Sequence, residues 1–187
     1  MNRRIGFSRQ TMDKVRFTAK LILYILLSLL FYVFMTSMHF TRPPFLLIPL
    51  CIAISIFESE SKLAISLFGA WSGILCDMAM NKLLGFTSII LLISCLACSL
   101  LVTHLIRPNL FNHFVLSISA TTIVMLSDFF FGYYIWGHDN TFIIAKSITF
   151  PVIIFTGILS PVVFWIVKKI SLGIEPKYKP TPEEEID

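Results

Sequence analysis

Long apolar runs separated by short polar segments occupy the chain from Leu21 to Val167. Most of these runs approach the length of about 20 residues that a helix needs to cross the hydrocarbon core of a bilayer. Charged residues, prolines and glycines interrupt them and mark the turns between helices. The pattern predicts six transmembrane helices, at about Leu21–Met38, Phe45–Phe57, Leu63–Met80, Phe86–Ile106, Phe114–Ile135 and Phe142–Val167.

The second run is the shortest of the six. Pro43-Pro44 blocks a helix before it, and a polar segment follows it from Glu58. Its length is marginal for a bilayer, and the third run is marginal as well. Two interpretations therefore stay open: both runs cross the membrane, or together they form a re-entrant hairpin. Both interpretations give the later helices the same orientation across the membrane.

The composition agrees with this pattern and excludes a soluble domain. The chain has 187 residues, of which 56% are hydrophobic and 14% charged, with a mean hydropathy of +0.83. Such values are typical of integral membrane proteins. We expect a basic N-terminal arm over residues 1–20, a six-span transmembrane domain over 21–167, and a charged, proline-rich tail over 168–187 that is predicted to be disordered.

Basic residues give the expected orientation. Twelve of the fifteen lysines and arginines lie before the first span, at even-numbered turns or in the tail, and only Arg42, Lys82 and Lys146 lie on the other side. Lysine and arginine accumulate on the cytoplasmic side of membrane proteins. The sequence therefore predicts both termini in the cytoplasm. The arm either binds anionic lipid or serves only to set this orientation.

One stripe of residues in the third run stands out. Gly69, Gly73 and Asp77 are spaced four residues apart, so on a helix they share one face. Glycines at that spacing let a second membrane helix approach closely, and we expect Gly69 and Gly73 to face one. Leu91, in the next run, is expected to face lipid.

Asp77 ends this stripe, and a carboxylate in a membrane helix needs compensation. We hypothesise that its oxygens accept hydrogen bonds from backbone N–H groups where Asn81–Gly85 turns into the fourth span, because a helix N-terminus has free donors. The alternative is a solvated residue in the outer loop.

Asp128, in the fifth span, is the second carboxylate placed in the apolar region. Two such acids are able to form a proton relay or a cation pathway. The other interpretation is structural or partner docking, with hydroxyl groups of Ser72, Thr121, Thr122 or Ser127 as hydrogen-bond partners. We see no basic residue at mid-depth to complete a relay.

No catalytic, cofactor or metal site is expected. The four cysteines, Cys51, Cys76, Cys95 and Cys98, all lie in apolar runs and are interpreted as packed or lipid-facing thiols. A metal site at His104 and His113 is conceivable, but both lack helper ligands. No nucleophile–base pair or phosphate-binding loop appears.

The stripe also carries a family resemblance. Gly69-x3-Gly73-x3-Asp77, followed by Leu84-Gly85 before the next span, resembles the central signature of the rod shape-determining protein MreD family. Asp128-Phe129-Phe130-Phe131-Gly132 resembles a second, less specific stretch of that family. The chain length and the six apolar segments are also similar.

The resemblance implies a non-enzymatic membrane component of the bacterial cell-elongation machinery. MreD-like proteins act with MreC, MreB, RodA and a class B penicillin-binding protein to organise peptidoglycan synthesis and determine rod shape. The implied fold is similar to the substrate-binding subunits of energy-coupling-factor transporters. Helix packing or partner docking is expected at Gly69, Gly73, Asp77, Gly85 and Asp128.

A vitamin-transporter subunit is the main alternative, and it would require a polar, ligand-sized cavity near the outer face. The partners expected from the resemblance are MreC first, then the other members of that complex and membrane lipid. The expected location is the bacterial cytoplasmic membrane, and no nucleic-acid partner is expected.

Overall fold

The computed structural model of the chain describes residues 2–37, 45–58, 61–81, 84–104, 108–131 and 149–174, with side chains from residue 17 onwards. Within these residues the structure is helical and contains no strand. The helices are α1 (Asn2–Ser37), α2 (Leu47–Phe57), α3 (Lys62–Ala79), α4 (Phe86–His104), α5 (Leu110–Phe129) and α6 (Phe150–Ile174).

Five of these helices are long and apolar enough to cross a membrane. The segments that qualify are Phe17–Ser37, Lys62–Ala79, Phe86–His104, Leu110–Phe129 and Phe150–Gly173. Between 22% and 50% of their most apolar windows is buried inside the protein, so much of each apolar surface faces outwards. Apolar helices with outward-facing apolar surfaces are suited to lipid, and the chain is a multi-pass membrane protein with a helical bundle.

The short helix α2 forms the centre of the bundle. Its 11 residues extend for about 16 Å, roughly half of the ~30 Å hydrocarbon core. Every residue from Leu47 to Ile56 is buried, and α2 packs against each of the other five helices. A helix that is apolar on all sides belongs in a core, so this run is a core helix rather than an ordinary lipid-facing span.

The start of the apolar part of α1 and the end of α6 lie at the same edge of the bundle, where both contact Glu58. Lys20 Nζ, near the start of the apolar part of α1, donates to Glu58 Oε1 at 2.8 Å, just after α2 ends. Ser171, near the end of α6, donates to the same oxygen at 3.5 Å. The chain therefore returns to the Lys20 edge before α3 begins. The end of α2 therefore lies at the same edge as Lys20, as expected if the second run crosses the bundle. A re-entrant hairpin made of the second and third runs would place this turn elsewhere, so the contact favours crossing.

The observed limits of α5 and α6 differ from the expected ones because polar residues do not end these helices. α5 begins at Leu110 instead of Phe114, and it includes His113, whose ring finds hydrogen-bond partners inside the bundle. α6 continues past Val167 to Ile174, with Lys168 and Lys169 exposed on its surface. The expected span ends over 132–148 lie outside the described residues.

The two terminal regions are described only in part. α1 runs from Asn2 without a break at residue 20, so the basic arm and the first span share one helix. The chain after Ile174 lies outside the described residues, and the predicted disorder of the tail stays a prediction.

Candidate functional site

Helices α3 and α4 approach each other closely at the two stripe glycines, Gly69 and Gly73. A β-carbon placed on Gly73 would lie 2.3 Å from Ser88 Cα and 2.6 Å from Ser88 N. One placed on Gly69 would lie 2.8 Å from Cys95 Sγ and 2.9 Å from the Leu91 carbonyl oxygen. Both glycines therefore face a second helix, as expected, and the structure identifies that helix as α4. Their missing side chains let the two backbones touch.

The expectation that Leu91 faces lipid is wrong. Leu91 is fully buried, and its carbonyl oxygen lies beside Gly69. It lies on the buried face of α4 that packs against Gly69 and Gly73, together with Thr87, Ser88 and Cys95. Lipid contact on α4 falls instead on exposed residues such as Ile89 and Ile93.

Asp77 lies at the far end of the same stripe and caps α4 from the neighbouring helix. The Gly85 backbone N–H donates to Asp77 Oδ2 at 2.8 Å, and the Thr87 N–H donates to Oδ1 at 3.3 Å. The side chain of Asp77 is fully buried. These are the hydrogen bonds expected from the sequence, and they exclude the alternative of a solvated loop residue.

The turn that enters α4 needs a glycine at position 85. Gly85 has φ of +98°, in the left-handed region that side chains rarely adopt. Its carbonyl oxygen accepts the first bond of α4, from the Ile89 N–H at 3.1 Å. Gly85 therefore shapes the turn so that its own N–H and that of Thr87 point at the Asp77 carboxylate.

A further hydrogen bond ties the same two helices. The Ser88 hydroxyl donates to the Ala70 carbonyl oxygen at 2.6 Å, one turn from the Gly73 contact. Ser72 is also buried on α3, and its hydroxyl has no hydrogen-bond partner among the described residues. Together the stripe, the cap and this bond make α3 and α4 one hairpin unit, which we call the α3–α4 unit.

The opposite face of α3 is apolar and points away from the α4 contact. Its exposed side chains recur at helical spacing, and Trp71 on this face donates from its ring nitrogen to Ser28 of α1 at 3.4 Å. The exposed residues are Leu63, Leu67, Trp71, Ile74 and Met78. This face is available to lipid or to a partner helix beside α1.

Asp128 lies near the same end of the bundle as the Asp77 cap. It is half-buried in the last turn of α5. Two residues beyond that turn, the Phe131 ring packs edge-on against Phe86, the first residue of α4, with 5.4 Å between centroids. Gly132, the last residue of the second resemblance, lies outside the described residues.

Two polar clusters were not found from the sequence. In the first, Glu58 Oε1 also accepts from the Tyr24 hydroxyl at 3.3 Å, and the Lys20 and Glu58 side chains are only 11% and 14% exposed. Membrane helices rarely place such charges where they are shielded from water. The partners are separated by 38 positions, so no local pattern connects them.

The second cluster surrounds His113, which is fully buried. Its Nε2 lies 3.0 Å from the Pro49 carbonyl oxygen, so this nitrogen carries the proton and donates. Its Nδ1 lies 3.2 Å from the Ser160 hydroxyl and accepts from it. His113 therefore joins α2, α5 and α6, and it is a structural centre rather than a loop histidine.

The cysteines are packed rather than exposed. All four are buried free thiols, and the Cys95 and Cys51 side chains contact each other between α4 and α2. In the part of the chain that the structure describes, no three His, Cys, Asp or Glu side chains are grouped so that they could hold a metal ion.

An apolar groove of about 410 Å³ separates α4 from α5. Its walls carry no charged residue, and its two hydroxyl groups belong to Ser94 and Ser119. The Ser119 hydroxyl donates to the Leu116 carbonyl oxygen within its own helix. A groove with such walls suits a lipid chain or an apolar helix better than a polar small molecule.

Comparison with known proteins identifies no relative of this chain. No family model, curated protein or solved structure matches the chain. What the chain does is therefore inferred from its own residues and their contacts.

Proposed function

We propose that this chain is a non-enzymatic membrane component of the bacterial cell-elongation machinery, of the kind that the MreD resemblance implies. In this role it helps to determine rod shape by organising peptidoglycan synthesis together with MreC and MreB. MreC is the first partner to expect, and RodA and a class B penicillin-binding protein belong to the same complex.

The observation that carries the proposal is that the residues of the resemblance act together in space. Gly69 and Gly73 admit the backbone of α4, Asp77 caps its N-terminus, and Gly85 shapes the turn between the two helices. A signature that maintains one helix pair is suited to a scaffold whose surface must keep a fixed shape for a partner.

The proposed location is the bacterial cytoplasmic membrane, with both termini in the cytoplasm. The excess of basic residues on one side supports this orientation. The contacts of Glu58 with both Lys20 and Ser171 support it further, because the two ends of the apolar bundle then lie on one side. We also propose a six-helix fold similar to that of energy-coupling-factor substrate-binding subunits.

A vitamin-transporter subunit is the alternative that the proposed fold similarity raises. Such a subunit would bind its ligand through polar groups in a cavity. The groove between α4 and α5 has almost entirely apolar walls, so it gives this alternative no support. The two functions predict different results for the same depletion experiment.

Depletion of the protein in its own host should turn rods into round cells and disperse the elongation complexes. The reason is that side-wall synthesis would lose a component that organises it. Cell width and the motion of fluorescently labelled MreB measure this effect. The purified protein should bind no vitamin-like ligand in isothermal titration.

The contrary result is specific. Depleted cells that keep a normal rod shape, together with tight binding of a vitamin-like ligand by the purified protein, would replace the shape function with transport. An empty vector and a plasmid carrying the parent gene are the controls, and the second should restore the rods.

A further inference from the structure

The lysines whose side chains the structure describes gather at one edge of the bundle, where Glu58 contacts both α1 and α6. Lys62 begins α3 directly after a turn in which the Ser61 N–H donates to the Glu58 carbonyl oxygen at 3.1 Å. Ser171, which donates to the Glu58 side chain, follows the last lysine of α6 by two residues. We call this the basic edge, and its lysines are Lys20, Lys62, Lys168 and Lys169.

Few carboxylates oppose these charges in the described part of the chain. Glu58 is the one described carboxylate at the basic edge, and Lys20 Nζ already pairs with it at 2.8 Å. Asp77 lies near the end of α3, about 22 Å along that helix from Lys62. Asp128, in the last turn of α5, lies near the same end as Asp77. The described side chains of the basic edge therefore carry an excess of positive charge.

The most accessible part of this charge lies on α6. Lys168 and Lys169 are exposed there, and no described carboxylate forms an ion pair with either of them. Lys20, in contrast, is largely buried against Glu58. An anion that approaches the basic edge from outside therefore meets Lys168 and Lys169 first.

An apolar stripe on α6 leads directly to these two lysines. Its exposed side chains recur every three or four residues, which places them on one outward face of the helix. They are Ile154, Ile158, Val162 and Trp165. Lys169 follows Trp165 by four residues and continues the same face. From Ile154 to Trp165 the stripe extends for about 16 Å, which matches one leaflet of the ~30 Å hydrocarbon core.

Trp165 indicates the depth at which the lysines lie. Tryptophan is enriched where the hydrocarbon of a bilayer meets the headgroups, and Trp165 is exposed at the end of the apolar stripe. Lys168 and Lys169 follow within one turn, at the depth of the headgroups. Lysine stems lie along apolar surface while their ammonium groups stay in polar surroundings, so both ammonium groups are able to reach a phosphate there.

We propose that Lys168 and Lys169 bind the headgroup of an anionic phospholipid whose acyl chain lies along the stripe from Ile154 to Trp165. The surface matches both halves of such a lipid, with positive charge for the headgroup and one leaflet length of apolar surface for the chain. A zwitterionic lipid offers the same chain without the net negative charge that attracts lysine. The site therefore prefers anionic lipid. This goes beyond the proposed function and does not depend on it.

Trp165 itself reports which lipid lies against the stripe. The chain has three tryptophans, so Trp71→Phe with Trp136→Phe leaves Trp165 as the single indole fluorophore. The full-length protein is placed in vesicles that contain equal amounts of phosphatidylcholine and phosphatidylglycerol, with bromine on the chains of one lipid at a time. Bromine quenches fluorescence on contact, and we expect several-fold stronger quenching by the brominated phosphatidylglycerol. The preference should disappear at about 1 M salt, where the screening length is ~3 Å.

Variants of the two lysines locate the headgroup contact. Lys168→Gln with Lys169→Gln should remove the preference, whereas Lys168→Arg with Lys169→Arg should keep it, because arginine retains the positive charge. Lys62→Gln is the positional control, since it removes a charge from the same edge but from another helix. It should leave the preference unchanged.

Native mass spectrometry gives a second measurement on protein that keeps all three tryptophans. After exposure to an equal mixture of the two lipids, the parent should retain more phosphatidylglycerol than phosphatidylcholine. The double glutamine variant should retain fewer phosphatidylglycerol molecules than the parent. Equal retention by parent and variant would contradict the proposal even if the single-tryptophan protein proves unstable.

Four quenching results would overturn the proposal. Equal quenching by the two brominated lipids would show that the stripe contacts bulk lipid without selection. A preference that persists in the double glutamine variant would place the headgroup elsewhere. A preference that Lys62→Gln removes equally would be an effect of net charge. Loss of the preference in excess glycerol phosphate, which has the charge but no acyl chains, would make free phosphate the ligand.

Discussion

Gly73→Ala should strongly destabilise the bundle, although it adds only one methyl group. Alanine is normally the better helix former, by about 1 kcal/mol. Here the new β-carbon would lie 2.3 Å from Ser88 Cα, and a backbone atom is unable to rotate away as a side chain does. Inserting a methyl group into a tight contact typically costs about 1–3 kcal/mol, and we expect the upper end of that range.

Two glycines of α6 provide matched controls for this change. A β-carbon at Gly157 would meet the Ile118 side chain at 3.4 Å, and one at Gly173 would meet nothing within 4 Å. Gly157→Ala and Gly173→Ala should therefore leave the unfolding temperature, measured by intrinsic fluorescence in detergent, within a few degrees of the parent. If Gly73→Ala matches these controls, α3 and α4 are not in close backbone contact.

Asp77→Leu should destabilise the α3–α4 unit, whereas Asp77→Asn should be partly tolerated. Leucine favours membrane insertion over aspartate by about 3 kcal/mol at the helix centre, and by less near a helix end. In the folded state, however, leucine would leave the buried Thr87 N–H without its acceptor, at about 1–3 kcal/mol, and the half-buried Gly85 N–H would lose its acceptor as well. Loss of two acceptors outweighs the gain at a helix end.

Hydrogen exchange at the start of α4 measures this effect locally. In Asp77→Leu, a peptide that covers Gly85 to Leu91 should exchange faster than in the parent, while a peptide from α5 should not change. Asp77→Asn keeps one oxygen acceptor at the same place, and it should exchange at an intermediate rate. Parent-like protection of α4 in Asp77→Leu would show that the carboxylate does not hold this helix end.

The sequence predicts those contacts of the site that join residues close to each other in the chain. Gly69, Gly73 and Asp77 share a face because of helical spacing alone, and Asp77 bonds to N–H groups only eight and ten positions away. Local geometry is sufficient for such contacts. The sequence therefore predicts that Gly69 and Gly73 face another helix and that Asp77 caps the start of the fourth span, but it does not identify α4 as the partner of the glycines.

The long-range contacts were not accessible, for a physical reason. In a membrane protein both the lipid-facing and the buried sides of a helix are apolar, so hydrophobic periodicity no longer identifies the buried face. The pattern therefore places Leu91 against lipid although it is buried, and it does not reveal the central position of α2. His113 was missed too, because its partners Pro49 and Ser160 lie 64 and 47 positions away.

The central claim is that the α3–α4 unit belongs to a factor that determines cell shape, and rescue of depleted cells tests it most directly. Cells that lack the native protein receive the parent, Asp77→Asn or Asp77→Leu at equal membrane levels, and cell width is measured. We predict rods with the parent, partial recovery with Asp77→Asn and round cells with Asp77→Leu. Rods of parental width in cells that carry Asp77→Leu would contradict the account.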